Sequence, residues 1–223
     1  MRIFGEIKTL IYKELLLEWR QRYALNGLLL YVLSAVMIVY LSFNLSQSRI
    51  EPIVWNALFW IILLFAAVNA IAKSFMQERS GRLLYYYLLA SPEAIVLSKI
   101  LYNIFLMTAI AAVALGSYSM LMGNPVQDMP LFLLNLLLGA LGFSATFTMV
   151  AGIASKAHNN ATLMAILSFP IIVPMLLLLL KVSKNAMDGL DRTSSYNELL
   201  SMGAMNLIVV ITALLLFPFL WKS

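Results

Sequence analysis

Six apolar runs constrain this chain more than any other feature. They cover residues 24–43, 53–72, 100–122, 131–154, 162–181 and 199–221, and none carries an Asp, Glu, Lys or Arg away from its ends. About 20 apolar residues is the length an α-helix needs to cross a hydrocarbon core of about 30 Å. With 62% hydrophobic and 11% charged residues and a mean hydropathy of +0.91, the chain has no room for a separate soluble domain. The expected fold is all-α: one polytopic membrane domain over residues 1–223 with six transmembrane helices.

The breaks between runs carry charge, Pro, Gly or Asn: SQSRIEP (46–52), GNPVQDMP (123–130), SKAHNN (155–160) and the polar run 183–198. Eleven of the fifteen Lys and Arg residues lie at the N-terminus, in the segment between runs two and three, in SKAHNN and at the C-terminus; only Arg49, Lys181, Lys184 and Arg192 lie on the other side. Basic residues collect on the cytoplasmic side, so both termini are expected there. The basic excess is thereby explained by topology, and no nucleic-acid partner is expected. The first 23 residues read as an amphipathic interfacial helix. Ile3, Phe4, Ile7, Leu10, Ile11, Leu15 and Leu17 form an apolar stripe, Glu6, Lys8, Lys13, Glu14, Glu18 and Arg20 occupy much of the rest, and Glu14 and Glu18 share a face. A membrane-surface anchor and a helix that also touches a cytoplasmic partner are both open readings. The same stretch lacks the basic–apolar–small order of a cleavable signal.

Ionisable groups inside a membrane mark proton relays, ion coupling and voltage sensing. Their absence from the six runs argues against a proton-driven transporter and against an intramembrane protease with paired carboxylates. There is no G-x-x-x-x-G-K-[ST] loop, so ATP hydrolysis by that route is excluded, and there is no cysteine for thiol or disulfide chemistry. No catalytic residue, metal site or enzymatic activity is expected. His158, the only histidine, reads as a solvated or capping residue. In the fourth run, LLLGALGFSATFTMVAGIAS offers small and weakly polar positions at Gly139, Gly142, Ser144, Thr148 and Gly152, with Ala140, Ser144, Thr148 and Gly152 at i, i+4 spacing. Such a face suits close helix packing in the bundle or a homodimer, with a substrate-lining surface as the alternative. Pro170 and Pro174, one turn apart, each remove a backbone donor, which predicts a kinked or broken fifth span serving as a gate or as fixed architecture.

Between runs two and three stands FMQERSGRLLYYYLLASPEAIVLSK (75–99). It is too charged to cross a membrane. Glu78 and Arg82 form a favourable i, i+4 pair, interrupted by Gly81, and Tyr85, Tyr86 and Tyr87 point about 100° apart on a helix, so at least one faces protein or headgroups. Ser91, Pro92 and Glu93 read as a new helix start: N-cap, first-turn proline and an acid at the positive dipole end. Two cytoplasmic helical pieces meeting at a corner would make a protrusion suited to mechanical input, with a re-entrant hairpin or simple interfacial helix as the alternative.

The pattern F-x-x-E-R-x-x-G-x-L followed by S-P and a Lys, at Phe75, Glu78, Arg79, Gly81, Leu83, Ser91, Pro92 and Lys99, resembles that of type-2 ABC exporter permeases. More narrowly the chain is similar to the CcmB family, haem exporter protein B of cytochrome c maturation. The likeness is carried by Leu136 to Leu177 and by Lys13, Glu14, Leu15 and Arg20 of the N-terminal helix. The resemblance implies six spans, an amphipathic N-terminal helix and cytoplasmic coupling helices over 74–99 that dock on a separate ATPase. The coupling positions would be Phe75, Glu78, Arg79, Gly81, Arg82, Tyr85, Tyr86, Tyr87, Ser91, Pro92 and Glu93. It further implies a bacterial inner-membrane complex with a CcmA-like ATPase, a CcmC-like haem-handling subunit, a CcmE-like haem chaperone, membrane lipid and a second copy of this chain. ATP-Mg would sit on the ATPase and haem would be handled by the complex, with no cofactor in this chain. Export of another substrate (lipid, drug or polysaccharide) and a non-transporting assembly factor are the alternatives. The run 181–198, with Lys184, Asp188, Asp191, Arg192 and Tyr196, is a candidate partner contact.

Overall fold

The computed structural model describes residues 2–20, 23–45, 50–76, 91–154 and 160–222. Seven α-helices occupy them: α1 (Arg2–Arg20), α2 (Tyr23–Leu45), α3 (Pro52–Met76), α4 (Pro92–Met122), α5 (Met129–Ala154), α6 (Asn160–Met187) and α7 (Tyr196–Lys222), the last preceded by a 3-10 turn at Arg192–Ser195. Six segments, Leu25–Leu45, Pro52–Ile71, Pro92–Met122, Met129–Ala154, Ile166–Met187 and Arg192–Phe219, are long and apolar enough to cross a membrane. The chain is an all-α polytopic membrane protein. Its spans run alternately up and down, which puts α1 and the end of α7 at one end of the bundle, called here the terminal end. The loops 123–128 and 188–195 lie at the far end.

α4 begins at Pro92, as the Ser91–Pro92–Glu93 start predicts, and runs unbroken into the third span. One helix limit departs from the expectation. α6 carries on to Met187, so Ser183 lies inside a helix and not in a loop. α6 also passes through Pro170 and Pro174 without a break. Both prolines are exposed, so their rings lie on the outside of the bundle. Their i, i+4 spacing confines the lost bonds to the carbonyls of Ile166 and Pro170, and the rest of the ladder closes around them.

α5 is the central helix. Of its most apolar window 78% is buried, against 17% for α2, and it packs against α3, α4, α6 and α7. Lipid tails are as apolar as Leu, so the association of spans relies on close packing and interhelical hydrogen bonds more than on the hydrophobic effect. The small residues of α5 supply the closeness. A Cβ on Gly139 would stand 2.8 Å from the Trp60 ring, and one on Gly152 would stand 2.5 Å from the Phe217 ring. A Cβ on Gly142 would collide with Met175 and Asn206. At the far end an aromatic cluster ties α3, α4 and α5, with the Trp55 ring 4.8 Å from Tyr118, 5.4 Å from Phe59 and 6.1 Å from Phe132.

Polar bonds close the far end. Gly123, at φ 79° where only glycine is unstrained, ends α4 and its carbonyl accepts from Trp55 Nε1 at 3.1 Å. The backbone amides of Gln127 and Asp128 donate to the Ala186 carbonyl at 3.2 and 2.9 Å. Arg192 donates to both carboxylate oxygens of Asp128, Nε at 2.7 Å and an Nη at 2.9 Å, a bidentate pair. Lys181 pairs with Glu198 at 2.5 Å, joining α6 to α7. The Arg192 guanidinium, helped by the Leu131 amide, holds the Asp128 carboxyl below the usual carboxylate range.

Gly139→Ala and Gly152→Ala are each expected to cost about 1–3 kcal/mol through overpacking against buried rings. Gly203→Ala, where a Cβ meets nothing within 4 Å, should be near neutral in the same detergent unfolding assay. Because the folded Asp128 pKa is depressed, the contribution of the Asp128–Arg192 pair is fully present above the unfolded carboxyl value of about 3.9. It is lost as pH falls through the lower folded value. The stability gap between wild type and Arg192→Gln should therefore hold steady from neutral pH to about pH 5 and shrink below about pH 4, as read from unfolding midpoints across that range.

Candidate functional site

At 31 residues and about 1.5 Å per residue, α4 spans about 46 Å, about 16 Å more than the hydrocarbon core needs. The excess is its first two to three turns, at the terminal end. There Ala94, Ile95, Val96, Ser98 and Lys99 are all buried, so this start is packed structure and not an exposed corner. What covers it is α1.

The two helices run parallel in a fixed register. The Glu6 carboxylate accepts from both the backbone N–H and the hydroxyl of Ser91, at 3.2 and 3.1 Å. Two turns on, Glu14 stands 3.9 Å from the Lys99 ammonium, whose side chain is only 3% exposed, and Glu14 also pairs with Lys13 at 2.9 Å. One turn further, Glu18 faces the Tyr102 hydroxyl. Charges drawn out of water are tolerated when paired, and this ladder pairs them. The three acids are therefore not spread over a polar face opposite the apolar stripe. They lie within the half-buried stripe that includes Ile7, Leu10, Ile11 and Leu17, because 3.6-residue periodicity puts positions 7, 10, 11, 14, 17 and 18 on one side. The outward side of α1 carries Phe4, Tyr12, Leu15 and Leu16, an apolar face of the kind that lies in a headgroup layer.

Ser91 occupies the expected N-cap position with extended backbone (φ −70°, ψ 144°), but its side chain makes no cap bond. The hydroxyl is turned to Glu6 instead. Pro92 stands in the first turn and Glu93 at the positive end of α4, as the residue types suggest. Phe75 falls in the last turn of α3. Glu78, Arg79, Gly81, Arg82, Tyr85, Tyr86 and Tyr87, with Leu83, lie outside the described residues, as does His158. No group of three or more His, Cys, Asp or Glu that could hold a metal occurs among the described residues.

A second set of polar contacts runs through the bundle from the α4 start. Asn103 Nδ2 donates to the Thr148 hydroxyl at 2.8 Å, joining α4 to α5. Nearer the far end Asn135 Nδ2 donates to Ser183 Oγ at 2.8 Å and to the Leu179 carbonyl at 2.9 Å, and Trp60 Nε1 donates to the same Ser183 at 2.8 Å. Asn206 Nδ2 donates to the Leu138 carbonyl at 3.1 Å. Thus Gly139, Gly142, Ser144, Thr148 and Gly152 are all buried against neighbouring helices. Reading charged residues alone overlooks the asparagines. The available signal was a carboxamide inside each of four apolar runs, at Asn56, Asn103, Asn135 and Asn206.

Comparison with known proteins gives the arrangement a family. The model of the CcmB protein family matches residues 6–219, nearly the whole length. The chain belongs to the CcmB family. No curated protein matches it. Membership together with six membrane-spanning helices makes this a multi-pass permease of cytochrome c biogenesis, in a family of permeases and not of catalysts. The matched region takes in both sides of the α1–α4 ladder.

Glu6→Ala strands two donors of Ser91 and is expected to cost about 1–3 kcal/mol. Trypsin should then cleave α1 faster after Lys8 and Lys13. Lys8→Ala, on the exposed side of the same helix, should stay within about 0.5 kcal/mol of wild type.

Proposed function

We propose that this CcmB-family chain is the membrane permease subunit of an ABC-type complex in c-type cytochrome maturation. It carries the work of ATP hydrolysis on a separate, CcmA-like subunit to haem delivery or to release of a haem-loaded, CcmE-like chaperone. A CcmC-like haem-handling subunit and a second copy of this chain complete the complex. ATP-Mg belongs to the ATPase and haem to the complex as its cargo. The setting is the bacterial inner membrane with both termini cytoplasmic, supported by the concentration of Lys and Arg at the terminal end.

The observation that carries this reading is the α1–α4 ladder. The segment 77–90, which bears Glu78, Arg79, Gly81, Arg82 and the three tyrosines, leads directly into Ser91. From Ser91 onward the chain is a stiff helix held by Glu6 and Glu14 to α1. A displacement applied just before Ser91 therefore moves α1 and α4 together and reaches α5 through Asn103 and Thr148. The far end, closed by Asp128–Arg192 and Lys181–Glu198, serves as the fixed support. Docking of an ATPase on the terminal end is the input this lever suits.

Affinity purification in mild detergent from native membranes, with mass spectrometry of partners and an absorption spectrum for haem, tests the reading. An ABC ATPase recovered together with haem-handling maturation proteins is the expected outcome. An ATPase without them favours export of another substrate, and no ATPase overturns the coupling role. Glu78→Lys combined with Pro92→Ala should reduce ATPase recovery while leaving the protein in the membrane, and full recovery would remove 75–93 from the docking surface.

A further inference from the structure

Glu18 is half-buried on the side of α1 that faces α4, yet among the described residues it takes part in no ion pair. Its neighbour on α4 is the neutral hydroxyl of Tyr102. A carboxylate drawn partly out of water is costly without a counter-charge. The one cation of α4 is Lys99, three residues before Tyr102 and on the same side of that helix. In the observed register Lys99 belongs to Glu14. Glu6 meets Ser91 and Glu14 meets Lys99, partners 85 residues apart in both cases. The face of α1 thus presents two carboxylates, one turn apart, to a single buried ammonium.

A shift of α1 by one turn toward the start of α4, about 5 Å, would bring Glu18 level with Lys99. Each contact given up has a replacement. Glu14 stands 3.9 Å from Lys99 and 2.9 Å from Lys13, so on leaving Lys99 it keeps a cation. Ser91 has the extended backbone of an N-cap, but its hydroxyl is turned to Glu6 and makes no cap bond. Released by Glu6, that hydroxyl oxygen can accept from the free amides of the first turn of α4. Lys99, with its side chain 3% exposed, has a carboxylate in either position. α2, which follows α1 in the chain, is the least buried span, at 17% of its apolar window. Between lipid and protein such a span gains and loses little hydrophobic energy by sliding.

We propose that α1 and α4 form a two-position catch, in which Lys99 pairs with Glu14 in the observed register and with Glu18 after α1 has moved one turn toward the start of α4. Packed helix pairs move in such discrete steps. The catch deepens the coupling role proposed above, which would supply the force, while the two positions are a property of this chain alone. The chain has no cysteine, so spin labels can be placed through Lys8→Cys on the exposed side of α1 and Met120→Cys on α4, where Met120 is 87% exposed. Double electron–electron resonance on the labelled full chain in lipid nanodiscs tests the proposal. One main distance is expected with no further substitution. Glu6→Ala, which frees Ser91, should raise the share of a second distance, about 5 Å longer, by about tenfold. Adding Glu18→Gln to Glu6→Ala should remove the longer distance. Adding Tyr102→Phe instead breaks the same Glu18 contact but leaves the carboxylate, and the longer distance should remain. A longer distance that survives Glu18→Gln overturns the catch, as does a single unchanged distance in Glu6→Ala. A broad distribution in Glu6→Ala marks a detached α1 and overturns it too. Two distances that Glu6→Ala rebalances, but that a co-purified ATPase with ATP does not, uphold the catch and count against the ATPase as its driver.

Discussion

In a hydrocarbon solvent, apolar side chains gain little by leaving lipid for protein, so a bundle of spans holds together only where its helices come close enough for dense contact and for hydrogen bonds across the gap. α5 is built for that closeness. Rings of Trp60 and Phe217 occupy the places where Cβ atoms of Gly139 and Gly152 would otherwise stand, and Met175 with Asn206 does the same at Gly142. α3, α6 and α7 are thereby drawn in around one helix, and α4 joins them through the Asn103–Thr148 bond. The remaining features of the bundle are arranged with respect to this axis.

The two ends of the axis are stabilised in different ways. At the far end short loops, backbone bonds to Ala186 and two ion pairs connect α3 to α7 through several independent contacts. At the terminal end, among the described residues, three acids of α1 face Ser91, Lys99 and Tyr102 on the start of α4. Buried pairs of this kind lose strength sharply when one partner is removed. The proposed coupling role draws on this α1–α4 pair, which ties the start of a long span to the lead-in helix. Both members of the pair lie within the region that matches the CcmB family.

Much of this was legible in the sequence. Span number, the helical class and the start of α4 at Ser91–Pro92 follow from hydropathy, length and local capping chemistry, which act within about 20 residues of chain. The small-residue positions of the fourth run were also visible, because glycine among apolar residues has few other uses in a span. The roles of the acids in α1 were not. Periodicity puts Glu14 and Glu18 on one face, but whether that face meets water, a partner or this chain depends on a helix 85 residues away. Of the two outcomes expected at Pro170 and Pro174, a kink or a break, the break does not occur, since both prolines lie on the outer side of a helix that runs on through them.

The sequence by itself thus determined what each segment is: six spans, an amphipathic lead-in, a charged connection between spans two and three, and a side on which the basic residues collect. These are properties of local composition, and the membrane reads them segment by segment. Tertiary structure alone decided which polar groups meet. Glu6 reaches Ser91, Asn135 and Trp60 converge on Ser183, and Asn56 reaches the Leu180 carbonyl. Polar side chains buried in a low-dielectric bundle must find partners across it, and those partners come from helices remote in sequence, whose placement no local pattern encodes.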